Sequence, residues 1–418
     1  MHLSILNFRP FNFRPFSFRP SNAGLLLAAA LYVSIAGCAS PTPPTPRPAL
    51  PPPIGIPTQP TPVPSLPAPP ITVVPPLISP EPAPVEMSDL AEPHVALLLP
   101  LQSAAFKRPA EAVRDGFVAA SESQPFGAQI KVRVYASFDE SKDIATLYRT
   151  AISNGAIAVA GPLTRDGVAT LAGQVKIAVP TLALNYVDGI SIDNLFFYGL
   201  AIEAEARQAA QLAAADKLKN ATVITTGSAL SKRLALAFTT EWTALGGKIA
   251  DEIWFEDAAA LKLLPLEPGN MVFLAAEFDK ARTIRPYINA ALPIYATSQV
   301  FNGSANTLAN YDLDNIRFVD MPWVVQPDHP AVMIYPHANP PLAPDMERLY
   351  ALGIDAYRLL QILYNNSYHI KLPLDGVTGQ IDLINRQFYR EAIPAQIKQG
   401  QSQLLPKIKW HRPVFAQP

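Results

Sequence analysis

The 418 residues hold a single cysteine, Cys38. No internal disulfide can form, so any stability must come from packing. Charge is sparse too. Asp, Glu, Lys and Arg make up 16% of the chain and sum to −1, against the roughly 25% charged content of ordinary soluble domains. Neither sign is in excess, which gives no footing for nucleic acid or an anionic membrane surface. Catalytic signatures are also missing. The chain has no Gly-x-Ser-x-Gly elbow, no phosphate loop and no Rossmann glycine pattern. His94, His329, His337, His369 and His411 are scattered without metal-ligand spacing. Glu203 and Glu205 stand two apart on a predicted helix and so point apart, and Glu256-Asp257 reads as a solvated loop. These absences argue against a hydrolase, a nucleotide-dependent enzyme or a metalloenzyme. The reading is of a protein that is not an enzyme and carries no cofactor.

What is present begins at the N-terminus. A short repeat, Asn7-Phe8-Arg9-Pro10-Phe11 and its two successors, places positive charge at Arg9, Arg14 and Arg19. The apolar run from Ala23 to Ala36 follows, shorter than the roughly 20 residues of a membrane-spanning helix. Basic, then short apolar, then small residues is the pattern of a secretory signal. The run ends Ile35-Ala36-Gly37-Cys38, which resembles the bacterial lipobox. The resemblance implies a signal peptide over 1–37, cleavage before Cys38 and a covalent lipid on Cys38. Ala39 rather than Asp in the next place implies sorting to the outer membrane, on its periplasmic face.

Residues 38–92 change character, with Pro41-Thr42-Pro43-Pro44 and Pro51-Pro52-Pro53 opening a proline-dense stretch. Proline fixes φ and donates no hydrogen bond, so neither helix nor central strand is expected. The expected state is a disordered tether with polyproline II character, extending at about 3.1 Å per residue. Its place directly after the anchor favours a spacer over a ligand for proline-binding modules.

From residue 93 to 418 strands and helices alternate. Val95–Leu99 and Ala156–Ala160 are continuous apolar runs, as strands buried on both faces require. Ile144, Leu147, Tyr148 and Ala151 share one helical face. The pattern restarts after Phe196-Phe197-Tyr198 with an Ala-rich helix from about Glu203 to Leu218. A strand at Ala221–Thr225 follows, then a helix that Gly246-Gly247 stops with a left-handed cap. Further strands are expected at 249–255, 271–275 and 294–296. Repeated strand–helix–strand units give an α/β fold with parallel sheets flanked by helices, in two lobes. Ligands of such sheets bind beyond the carboxyl ends of the strands.

Several segments are similar to known ones. His94–Leu101 followed by Ala112–Phe117, Ala158–Leu163, Val179–Asn185 and Gly376-Val377-Thr378-Gly379 resemble the type I periplasmic binding proteins. Leu292–Ser298, Asp320-Met321-Pro322-Trp323 and Arg348–Leu359 narrow the resemblance to the penicillin-binding protein activator family, the LpoA/LppC-like lipoproteins. This implies a two-lobed fold, with one lobe over about 93–198 and 327–385 and the other over about 199–326. It also implies a class A penicillin-binding protein, a peptidoglycan synthase, as partner. Well-known members carry an N-terminal domain of helical repeats where this chain has the proline-rich tether. The alternative is a solute-binding lipoprotein for an amino acid or other small ligand, serving transport or sensing.

The strand ends place Ser103, Thr164, Asn185 and Tyr186 on the first lobe's side of a cleft, and Ser228 and Ser298 on the second's. In amino-acid-binding relatives, such hydroxyls and the N–H groups of a helix N-terminus hold the ligand carboxylate, and Thr164 matches that position. Two departures weaken this reading: the first loop, Gln102-Ser103-Ala104-Ala105, lacks the customary glycine, and Leu230 stands where relatives often place an aromatic. Such residues can equally be plain surface polarity in a vestigial cleft. Trp323 is either buried under a crossing segment or a partner-surface anchor. On the predicted helix, Arg348, Asp355 and Arg358 lie off the apolar face and are expected to form surface pairs.

Overall fold

The computed structural model describes residues 91–124, 130–256, 258, 261, 264–365 and 372–411. The signal, Cys38 and the tether as far as residue 90 lie outside them. Two sheets organise the described residues. The first begins with β1 (His94–Leu99), β2 (Val132–Ala136), β3 (Ala156–Ala160), β4 (Thr181–Ala183) and β5 (Leu195–Phe197), ordered β2-β1-β3-β4-β5 and all parallel. Between them run α1 (Lys107–Glu122), α2 (Glu140–Ser153) and α3 (Arg165–Gln174). The chain then crosses to the second sheet. Helix α4 (Ile202–Ala215) leads to β6 (Asn220–Thr225), α5 (Ala229–Ala244), β7 (Lys248–Trp254), β8 (Asn270–Ala275), α6 (Phe278–Ile284), β9 (Ile294–Ala296), the short α7 (Thr307–Asn310) and β10 (Ile316–Asp320).

A second crossing runs through the short α8 (Pro322–Val325) to the long α9 (Pro344–Asn365), which packs along α1. The first sheet is completed by β11 (Leu374–Asp375), β12 (Gln380–Ile384) and β13 (Gln387–Glu391), the last parallel to β5. Ala392 alone links β13 to β14 (Ile393–Lys398), which with β15 (Gln401–Leu404) extends the second sheet beside β10. This third crossing lies in 386–418, which the sequence reading gave to neither lobe.

Continuous apolar strands do what two covered faces demand. In β1, Val95, Leu97 and Leu99 face the core under α1 and α9, while Ala96 and Leu98 face the one under α2 and α3. In β8, Met271, Phe273 and Ala275 point to α4 and α5, and Val272 and Leu274 to the opposite face with α6. Gly246 takes the left-handed conformation (φ +84°) and closes α5 as expected, with Gly246 N–H on Thr243 O and Gly247 N–H on Trp242 O.

Candidate functional site

At the carboxyl end of the first sheet a cavity of about 830 Å³ is lined by Ser103, Phe106, Phe138, Thr164, Asn185 and Leu352 among others. Three of the expected residues, Ser103, Thr164 and Asn185, are therefore brought together. Tyr186 is not with them. It lines a separate cavity of about 240 Å³ with Gly199, Arg207 and Phe388, and its hydroxyl donates to Phe388 O at 2.7 Å. Burial pushes its phenol up to about 12. Ser228 borders a third cavity of about 720 Å³ on the second lobe's side, with Thr226, Glu277 and Gln299. Ser298 is buried at 1% exposure.

Three of the hydroxyls, those of Thr164, Ser228 and Ser298, already serve a carboxylate of the protein itself. Thr164 caps α3, its Oγ1 accepting from Gly167 N–H at 3.1 Å. The same hydroxyl donates to Glu140 Oε2 at 2.6 Å. Thr164 N–H reaches that oxygen at 2.7 Å and Leu163 N–H reaches Oε1 at 3.0 Å. Glu140, the first residue of α2, is only 2% exposed. Its carboxylate sits where an anion would rest on a helix N-terminus. Desolvation raises its pKa, and the hydrogen bonds from Thr164 and Leu163 partly oppose that.

The second lobe repeats the device. Ser228 caps α5, accepting from Ser231 N–H, and donates to Glu277 Oε1 at 2.6 Å. Ser298 gives both its N–H (3.1 Å) and its hydroxyl (2.6 Å) to Glu205 Oε2. Asn185 is engaged internally as well, donating to Leu163 O at 3.0 Å and accepting from Tyr186 N–H at 2.9 Å. Ser103 shows no side-chain hydrogen bond among the described residues.

A carboxylate ligand would have to displace Glu140 or sit beside it. The first breaks three hydrogen bonds, and the second sets like charges together in a partly desolvated place. Sequence reasoning missed Glu140, Glu205 and Glu277. Glu140 left one signal, the glycine at position 167. A Cβ there would lie 2.7 Å from Glu140 Cβ.

Trp323 is 3% exposed. Its indole N–H donates to Glu347 Oε2 at 2.8 Å and its ring lies against His337 and Tyr350. No face is left for a partner, because the turn at Pro322 directs it into the first lobe's core. On α9 the expected pairing is met in part: Asp355 and Arg358 form an ion pair at 2.9 Å, though away from the open surface. Arg348 and Asp355 are buried at 5% and 0%, Arg348 against Asp320 and Asp355 under Thr378. Among the described residues no group of three or more His, Cys, Asp or Glu is placed to hold a metal ion.

A family model described as "LppC putative lipoprotein" matches residues 85–264 and 267–396. The chain belongs to the LppC family. Among its LppC-like relatives, the penicillin-binding protein activator LpoA of Photobacterium profundum is 26% identical over 336 residues, covering 70% of this chain and 54% of that protein. The chain thus spans about half the length of that relative. A Chromobacterium violaceum structure described as a "putative branched-chain amino acid ABC transporter" is 35% identical with a TM-score of 0.62, covering 73% of this chain and 100% of that one. The C-domain of LpoA from Haemophilus influenzae, described as a regulator of PBP1A, covers 75% of this chain and 100% of its own at a TM-score of 0.62. At 22% identity that likeness establishes the fold.

Proposed function

We propose that this LppC-family chain activates a class A penicillin-binding protein and so regulates peptidoglycan synthesis, by protein–protein contact and without chemistry of its own. Supporting this are relatives named penicillin-binding protein activators and a cleft in which Thr164 and Ser228 are already taken by Glu140 and Glu277. The cleft is the observation that carries the reading. A cradle that supplies its own carboxylate is poorly disposed to capture one from solution. An activator without chemistry acts by binding one synthase conformation better than another. About 1.4 kcal/mol of such preference gives a roughly tenfold shift. In this reading the chain is a lipoprotein held by a lipid on Cys38, at the periplasmic face of the outer membrane, with 38–92 as its tether.

A solute-binding role is the second reading, favoured by the 35% identity to the Chromobacterium violaceum protein. One pair of measurements separates the two. Purified full-length chain should raise glycan polymerisation or crosslinking by a class A synthase of the same organism, saturably with concentration. Thr164→Ala and Asn185→Ala should leave that stimulation largely intact. The activator reading is lost if no class A synthase responds while calorimetry finds a micromolar amino-acid ligand that Thr164→Ala abolishes. For the anchor, labelled fatty acid should enter the wild type and not Cys38→Ala; label in both, or in neither, would sink it.

A further inference from the structure

The chain crosses between the lobes three times, and around these crossings lies a cluster of buried polar groups. Arg348 reaches from α9 on the first lobe into the second. Its Nε and Nη2 grip both oxygens of Asp320 at 3.1 and 2.6 Å, and Nη2 also donates to Ser298 O and Phe301 O, each at 3.0 Å. Arg390, on β13 of the first sheet, pairs with Glu205 on α4 of the second lobe and donates to Thr378 O. Gln208, one turn along α4, donates to Tyr389 Oη (3.0 Å) and Arg390 O (2.9 Å) and accepts from Ala392 N–H at the third crossing (2.9 Å).

The other two crossings are pinned from α9. Asp355 accepts from Val377 N–H, Thr378 N–H and Thr378 Oγ1. Thr378 Oγ1 lies 2.6 Å from Tyr198 Oη at the first crossing, and Val377 O accepts from Trp323 N–H at the second. Glu205, Gln208, Ser298, Asp320, Arg348, Asp355, Thr378 and Arg390 are all 5% exposed or less. Four of the segments carrying the sequence resemblance, around Ser298, Asp320, Arg348–Asp355 and Gly376–Gly379, thus converge on one place. These segments shape the joint between the lobes, while Ala158–Leu163 and Val179–Asn185 reach the cavity at the first sheet's carboxyl end.

We infer that this network locks the lobes at one angle, so that the protein presents its surface as a rigid body and does not close on a solute. Rotation about the crossings would draw Arg348 from Asp320 and the two carbonyls, and Arg390 from Glu205. Each move strands a charge among groups that are 5% exposed or less. A bidentate arginine pair tolerates little change of geometry before its two bonds are lost.

Phe138, just beyond β2, is 70% exposed, and Trp254, ending β7, is 61% exposed. Both mark the outer strand of their sheet, the one farthest from the crossing strands, where rotation would be most visible. Nitroxide labels on Phe138→Cys and Trp254→Cys, in the full chain carrying Cys38→Ser, should give one narrow distance distribution by pulsed electron resonance. Millimolar leucine should leave it unchanged. Glu205→Gln with Arg390→Gln removes both charges together and should broaden the distribution. If that pair does not fold, Arg348→Lys, which keeps the charge and loses the fork, should broaden it. Two distances in the parent chain, or a leucine-dependent shift, overturn the lock. So does a folded network variant as narrow as the parent. Synthase stimulation plays no part in this readout, so the two proposals stand or fall separately.

Discussion

Glu140 shows how a single side chain can decide what a cleft is for. Its carboxyl is buried, and burial outweighs its hydrogen bonds, so its folded pKa lies above the unfolded value. The sign of the pH dependence follows. The contribution of such a group is complete below the ordinary Glu value, about 4.3. It is lost as pH rises through the raised folded value. The melting-temperature advantage of the parent over Glu140→Gln should therefore shrink as pH rises above about 4. An advantage that grows with pH would contradict the burial argument. Gly167 is the companion prediction. A methyl there meets Glu140 Cβ at 2.7 Å, Oε2 at 2.9 Å and Pro162 Cβ at 3.0 Å. Gly167→Ala should cost about 1–3 kcal/mol in urea unfolding; a neutral result would mean that the Glu140 side chain yields freely.

At the scale of elements, α1 and α9 meet almost backbone to backbone. A Cβ on Gly116 would lie 1.9 Å from Tyr350 O, and one on Gly353 would lie 2.1 Å from Val113 O. Neither obstacle is a flexible side-chain end. Gly116→Ala and Gly353→Ala should each destabilise by about 3 kcal/mol or more, read as a fall in the urea midpoint. The pair together should fall short of additive, since the first change already parts the helices. Helix α9 and the inner strands β1, β3, β6, β8 and β9 were legible in the sequence because apolar patterning is a local property. β3 and β9 fall where expected, and α5 ends at its glycines. The third crossing was not legible. β13 and β14 are joined by Ala392 alone, with no Gly or Asn turn to mark a change of sheet. Glu205 and Arg390 lie 185 residues apart, and nothing local in either segment announces the pair. Arg348 was misplaced for a related reason: helical spacing sorts side chains by face, but the polar face of α9 is itself covered by the second lobe. The cleft fared similarly. The hydroxyls could be found from strand ends, while the carboxylates that occupy them come from other elements.

For the whole molecule, two sheets with separate cores would ordinarily suggest two unfolding events. The crossings and the buried pairs between them favour one. Calorimetry of the parent should show a single transition with matching calorimetric and van't Hoff enthalpies; two resolved transitions would show the joint to be weak. Arg348→Met leaves Asp320 buried without its partner and should cost on the order of 3–5 kcal/mol. Because the loss falls at the joint, that variant is the one expected to split the transition.

The way the chain enters its first sheet also has a mechanical consequence. The proline-rich segment feeds residue 91, and three residues later the backbone is already in β1, an inner strand paired in parallel with β2 on one side and β3 on the other. The entry is fastened by Glu92, whose carboxylate pairs with Lys131 and Arg133, and by His94, whose ring meets Glu92 O and Tyr135 Oη. A pull along the strand from this end cannot peel bonds one at a time, as it would at an exposed edge. It must shear two ladders together, with the load shared among evenly spaced bonds. A domain built this way can be held at one end and engaged at the other, and transmit tension between the two without unravelling at the point of attachment.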